Sequence, residues 1–283
     1  MAEASAPASS ANLGPGFDCL AVALEIRCAV RAEPADAWTV SHVGADAPPE
    51  GADDAVLIAA QTAVGADRPL ALVVDNAVPI GRGLGSSSAA AAAGAVAAWK
   101  AHGENPSLHR AWEIATDMDG HPDNAAAAVY GGLVLATAGG AVHRLPWNVA
   151  LHAVVAVPNE PFRTAEARRL LPVAYEADVV RRSLARVAAL VAGLVGGDTA
   201  LLADASGDEI HERPRQEVRP DVAELIDVAR SAGAVHAAWS GAGPSMLALV
   251  PSTGVERVRM SLERCLADRG RVLAPGIATT GVV

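Results

Sequence analysis

The stretch Pro79-Ile80-Gly81-Arg82-Gly83-Leu84-Gly85-Ser86-Ser87-Ser88, followed at once by an alanine run, decides how the chain is read. Glycines at every second position free the backbone to turn sharply and to approach a ligand closely. The serines then open a segment of high helix propensity, and the first N–H groups of any helix lack intrahelical partners. Amides, hydroxyls and the positive end of the helix dipole together make an anion site, for which a polyphosphate is the natural occupant. A serine hydroxyl at this point can also ligate Mg²⁺, which takes oxygen donors and usually bridges phosphate oxygens. No Gly-Lys-Ser/Thr occurs, so this is not a Walker loop, and the six-residue dinucleotide glycine pattern is absent too. Lys100 is the only lysine. The charge on bound phosphates therefore falls to amides, Mg²⁺ and arginine.

Outward from this loop, strand-like runs precede it at Leu20–Val30 and Leu70–Asn76, with a loop around Asp46-Ala47-Pro48-Pro49 between them. Helical composition begins at Ser86 and runs through Ala98, and a second helix is expected over Ser107–Met118. Strands follow at Gly132–Thr137 and Leu151–Val157. The second half reads as helices at Thr164–Leu171, Asp178–Leu194 and Asp221–Ala232. Strands at Ala234–Trp239 and Met246–Val250, a helix at Gly254–Ala267 and a closing extended segment complete it. Strands and helices that alternate without strict βαβ spacing predict an α+β protein in two lobes, 1–157 and 158–283, with largely antiparallel sheets.

Composition narrows the classes of function. Of the 283 residues 51 % are apolar and 19 % charged, a globular balance. Aromatic residues are 3 % and the formal charge is −10, which speaks against base stacking and phosphate contacts, hence against a nucleic-acid partner. No stretch reaches the roughly 18 uninterrupted apolar residues of a membrane span, and no signal-peptide pattern opens the sequence. Cys19, Cys28 and Cys265 have no metal-ligand spacing. A reduced, cytoplasmic setting is the expectation.

Three further segments concentrate polar side chains and turn formers: Ser9-Ser10-Ala11-Asn12-Leu13-Gly14-Pro15-Gly16-Phe17-Asp18, Gly120-His121-Pro122-Asp123-Asn124 ahead of Gly131-Gly132, and Ser240-Gly241-Ala242-Gly243-Pro244-Ser245. With the glycine–serine loop they resemble the GHMP kinase superfamily, and within it the homoserine kinase family, in the family's order and across essentially the whole chain.

The resemblance implies a first lobe like ribosomal protein S5 domain 2, a ferredoxin-like second lobe, and ATP between them. Gly81, Arg82, Gly83, Leu84, Gly85, Ser86, Ser87 and Ser88 would hold its phosphates. By position Ser87 resembles the family's Mg²⁺-ligating serine and Glu113 its acidic partner, with Asp117 and Asp119 as alternatives nearer the His-Pro-Asp-Asn segment. For an amino-acid substrate the resemblance points to Asn12, Asp18, His121 and Asn124. Asp18 suits an α-ammonium group, while the forks of Arg168 and Arg215 suit an α-carboxylate. His121, Asn124 and Arg168 are the expected catalytic residues. Asn124 stands where other superfamily members keep an aspartate, and an amide is no general base. Phosphoryl transfer tolerates that, because positioning and charge stabilisation carry much of it. The implied activity is phosphorylation of the side-chain hydroxyl of L-homoserine, a step toward threonine, by an enzyme expected to be a homodimer. Ala23-Leu24-Glu25-Ile26-Arg27-Cys28 and Glu212-Arg213-Pro214-Arg215 depart from the family's pattern. Another small hydroxy amino acid or alcohol therefore stays open as the substrate.

Overall fold

The computed structural model describes residues 1–43, 48 and 53–283, so the loop expected at Asp46–Pro49 lies, Pro48 apart, outside the described residues. The first sheet holds β1 (Ala2–Ala11), β2 (Leu20–Pro34), β3 (Thr39–His42), β4 (Leu70–Asn76), β5 (Leu133–Ala136) and β6 (Val142–Leu145). β2 is its spine. One edge of β2 pairs with β1 from Ala2↔Ala32 to Ala11↔Ala21, and the other with β4 at Cys28–Pro34 and β5 at Leu20–Val22. All of these pairings are antiparallel; β3 lies parallel to β4.

Four helices accompany this sheet: α1 (Ala55–Val64), α2 (Ser86–Ala101), α3 (Leu108–Asp119) and α4 (Pro122–Tyr130). α2 is the central one, with every residue from Ala91 to Trp99 buried. Its alanines give both propensity and a thin profile, so sheet and helices close in on it from all sides. At Gly94 a β-carbon would stand 2.7 Å from the carbonyl oxygen of Val56, so α1 crosses α2 at a separation that only glycine permits.

The second sheet contains β7 (Leu151–Pro158), β8 (His236–Trp239), β9 (Met246–Pro251) and β10 (Gly270–Leu273) in the order β10-β7-β9-β8, all antiparallel. α5 (Thr164–Arg169), α6 (Ala177–Gly196), α7 (Thr199–Asp204), α8 (Glu212–Gln216) and α9 (Pro220–Ser231) separate β7 from β8, and α10 (Val255–Leu266) joins β9 to β10. This is the β-α-β-β-α-β arrangement of a ferredoxin-like lobe. The division expected at 157/158 falls inside β7, which pairs with β9 and β10; the two sheets part between Leu145 and Leu151.

Residues 276–283 do not stay with the second lobe. Glu25 N–H donates to Gly276 O (2.8 Å), Ala278 N–H to Ala23 O (3.0 Å), and Ser5 and Val283 exchange two bonds of 3.0 Å. The tail thus satisfies backbone groups of β1 and β2 that would otherwise be left open. No helix among the described residues is long and apolar enough to cross a membrane.

Candidate active site

Both lobes contribute to one cleft of about 360 Å³. The glycine–serine loop forms one wall. Gly83 and Gly85 have φ of +72° and +65°, and neither tolerates a side chain. A β-carbon on Gly83 would lie 2.2 Å from Ser240 O, and one on Gly85 would lie 2.1 Å from Ser9 Oγ. The loop is gripped from the second lobe, where Ser240 Oγ donates to Gly83 O (2.7 Å) and Ser245 N–H to Arg82 O (3.3 Å). That is where the Ser240–Ser245 segment acts. α2 starts at Ser86 from a left-handed Gly85, and no side chain caps it. Its first-turn amides therefore remain for a ligand. Ser86 and Ser87 line the cleft, whereas Ser88 is buried on the side of Asp119.

The opposite wall is the 12–18 loop, in which Asn12, Leu13 and Asp18 all take positive φ. Such conformations persist only where surroundings hold them. Asn12 does much of the holding. Its Nδ2 donates to Gly241 O (2.9 Å) and its Oδ1 accepts from the Asp18 N–H (3.1 Å). Two buried histidines of the second lobe grip the same loop: His236 Nε2 bonds Leu13 O (2.9 Å) and His211 Nε2 bonds Gly14 O (2.7 Å).

Asp18 meets Arg168, at the end of α5, in a half-exposed ion pair of 2.6 Å. Phe17 lies 5.4 Å from the Arg168 guanidinium and 5.9 Å from that of Arg215, and stacks on His211 at 5.0 Å. One aromatic ring thus gathers both arginines. Arg215 is buried, and its NH1 is occupied by His211 Nδ1 (2.8 Å) and Gly241 O (3.0 Å). Burial pulls its guanidinium down to about 10, still charged at neutral pH. Arg215 therefore braces the cleft as well as lining it.

The third wall is the start of α4. His121 occupies the N-cap with extended backbone and Pro122 fixes the first helical turn; Trp112 Nε1 donates to Pro122 O (3.1 Å), tying α3 to it. His121, Asp123 and Asn124 line the cleft together with Asp119. Asn124 Oδ1 accepts from Ser9 Oγ (2.8 Å).

Every expected phosphate and substrate residue except Ser88 lines this one cleft. Glu113 does not. Its carboxylate is more than half exposed on α3 and pairs with His109 at 3.3 Å, so the expectation that it joins Ser87 is corrected. Asp119, at the C-terminal end of the same helix, is the acid that reaches the cleft, and Asp117 is exposed. Burial raises the Asp119 carboxyl above its ordinary value, against the lowering pull of His121, the Ser88 hydroxyl and Arg168. Asp123 stands in the same His-Pro-Asp-Asn segment. It is buried, and that burial, reinforced by Asp18 and Asp119, pushes it up to about 7. The cleft also includes a His42–Asp54 pair (2.7 Å) that no motif announced.

A phosphate cradle facing a pocket of opposed charges across one cleft defines a small-molecule kinase. Sequence comparison extends this. The family models of the GHMP kinases N terminal domain and GHMP kinases C terminal match residues 53–132 and 186–268. The homoserine kinase of Desulfitobacterium hafniense is 36 % identical, over 93 % of this chain and 92 % of its own. The crystal structure of homoserine kinase from Cytophaga hutchinsonii superposes with a TM-score of 0.88 at 26 % identity, covering 100 % of this chain and 96 % of that one. L. major mevalonate kinase, solved in complex with R-mevalonate, shares the fold with a TM-score of 0.76 at 16 % identity over 98 % of this chain and 96 % of its own. The chain belongs to the GHMP kinases and, within them, to the homoserine kinase family.

Proposed function

We propose that the chain transfers the γ-phosphoryl group of ATP to the side-chain hydroxyl of L-homoserine, giving O-phospho-L-homoserine. The observation that carries the substrate choice is the Asp18–Arg168 pair beside the phosphate cradle. An acid and an arginine at hydrogen-bond distance match the two charges of an α-amino acid, and an uncharged sugar or a lone carboxylate matches at most one of them. In this reading Asp18 receives the ammonium group, Arg168 and Arg215 the carboxylate, and Asn12 and His121 fix the backbone end.

The donor set also fits Mg²⁺. Ser87 and Asp119 offer oxygen donors in the cleft beside the uncapped start of α2. Bound there, the ion would offset phosphate charge, as such ions do in phosphoryl transfer. The chain's own residues do the rest. Gly83–Ser87 present amides to the phosphates, the 12–18 loop holds the α-amino acid end, and Asn124 supplies a neutral contact at the reacting end.

ADP release from Mg-ATP across L-homoserine, L-serine, L-threonine, mevalonate and galactose, against an ATP-only blank, tests this. Release with L-homoserine far above the other alcohols is expected. Release on mevalonate or galactose with silence on homoserine would remove the zwitterion reading.

A further inference from the structure

We infer that Ser9 is a positioning residue which sets the direction of the Asn124 carboxamide, so that Asn124 turns its amide NH₂, a hydrogen-bond donor, toward the reacting atoms. The inference rests on the kinase reading above and goes beyond it. Ser9 lies on β1, is fully buried, and belongs to none of the groups expected to touch a ligand. Its backbone N–H donates to Leu84 O (3.0 Å), which locks β1 to the phosphate loop. Its hydroxyl donates to Asn124 Oδ1 (2.8 Å). Asn124 belongs to α4 and its main-chain N–H is already satisfied by Asp123 Oδ1 (2.8 Å).

A carboxamide has one acceptor branch and one donor branch. With Oδ1 held by Ser9, the orientation of the carboxamide is set, and Nδ2, which makes no hydrogen bond among the described residues, is the branch left for the cleft that Asn124 lines. Gly85 closes the arrangement from the third side. A β-carbon there would lie 2.1 Å from Ser9 Oγ and 3.1 Å from Asn124 Oδ1. Strand, phosphate loop and substrate helix therefore meet at one buried hydroxyl. The chemical consequence is a division of labour. A donor cannot take the substrate proton, but it stabilises negative charge on phosphoryl or attacking oxygen, and such donors count most when preorganised.

A double-mutant cycle tests the coupling. Ser9→Ala is expected to lower kcat roughly 10- to 100-fold, by analogy with the loss on removing a group that orients a metal ligand, with KM for ATP nearly unchanged. In an Asn124→Ala background, Ser9→Ala should cost nothing further, since Ser9 has no amide left to orient. Equal losses in both backgrounds, or parent-like turnover in Ser9→Ala, would overturn the inference. A second arm needs no turnover. The Asn124 side-chain NH₂ signal in a ¹⁵N-edited spectrum, identified by its disappearance in Asn124→Ala, should shift or broaden in Ser9→Ala. An unmoved signal refutes the positioning role. A parent silent on homoserine with a moved signal would instead sink the substrate reading and leave the positioning role standing.

Discussion

Gly81 and Gly85 share a φ of +65° and differ in what surrounds them. A β-carbon on Gly81 would find only Pro161 at 3.7 Å, whereas one on Gly85 would strike Ser9 Oγ. Alanine at either site costs about 1–2 kcal/mol for the left-handed backbone, and only at Gly85 is a steric collision added. Gly81→Ala should therefore melt slightly earlier and keep most of its turnover. Gly85→Ala should lose more than about 100-fold in turnover, because the reacting groups are displaced; matched activities for the two variants would refute this. At this scale the sequence was legible where a residue sits inside a motif, as with Gly83, Ser87 and Asn124. Glu113 was misread for a simple reason. Counting back along a helix gives distance along the axis, and the face is a separate matter. Residue 113 looks outward on α3 while residue 119, beside the left-handed turn at Gly120, looks into the cleft.

Among elements, the start of α8 sets a buried His211, its N-cap, beside a buried Glu212 with the opposite response to pH. Burial pushes Glu212 from 4.5 up to about 8, although its Oε1 accepts from the Trp239 N–H at 2.7 Å. Burial also pulls His211 from 6.5 down to about 4. The folded state holds the Glu212 proton where the unfolded chain has released it. That contribution is complete below pH 4.5 and is lost as pH rises through about 8. The His211 contribution is complete above pH 6.5 and is lost as pH falls through about 4. The two slopes oppose one another in mild acid, and only that of Glu212 remains between pH 6.5 and 8. Glu212→Gln should therefore gain stability relative to the parent as pH is raised across that interval, read by urea denaturation at both ends. A constant difference would contradict the assignment. The two neighbouring charges were visible in the sequence, but their burial was not, because α8 is too short to show a periodic apolar face. β1 escaped notice for a related reason. Its ten residues are mostly Ala and Ser and include Pro7, which lack the branched and aromatic side chains that signal a strand. Pro7 is tolerated because the register shifts at Pro7/Ala8.

At the scale of the molecule, the two-lobed plan was legible because strand and helix runs follow one another at recognisable lengths. The return of residues 276–283 to the first lobe was not, since a tail's destination depends on which strand edge stays open. Gly281 shows how close that return is. A β-carbon there would stand 2.1 Å from Val129 O at the end of α4. Gly281→Ala should destabilise the fold by about 1–3 kcal/mol, the typical cost of overpacking, and a melting temperature equal to the parent's would show that the tail is not held. The same contact orders events in time. During synthesis the first sheet leaves the ribosome with its β1–β2 edge still open, and the segment that closes it follows only after the entire second lobe. The helix that presents Asn124 is thus buttressed last, and a nascent chain stalled between residues 242 and 276 carries every cleft residue without the brace behind it.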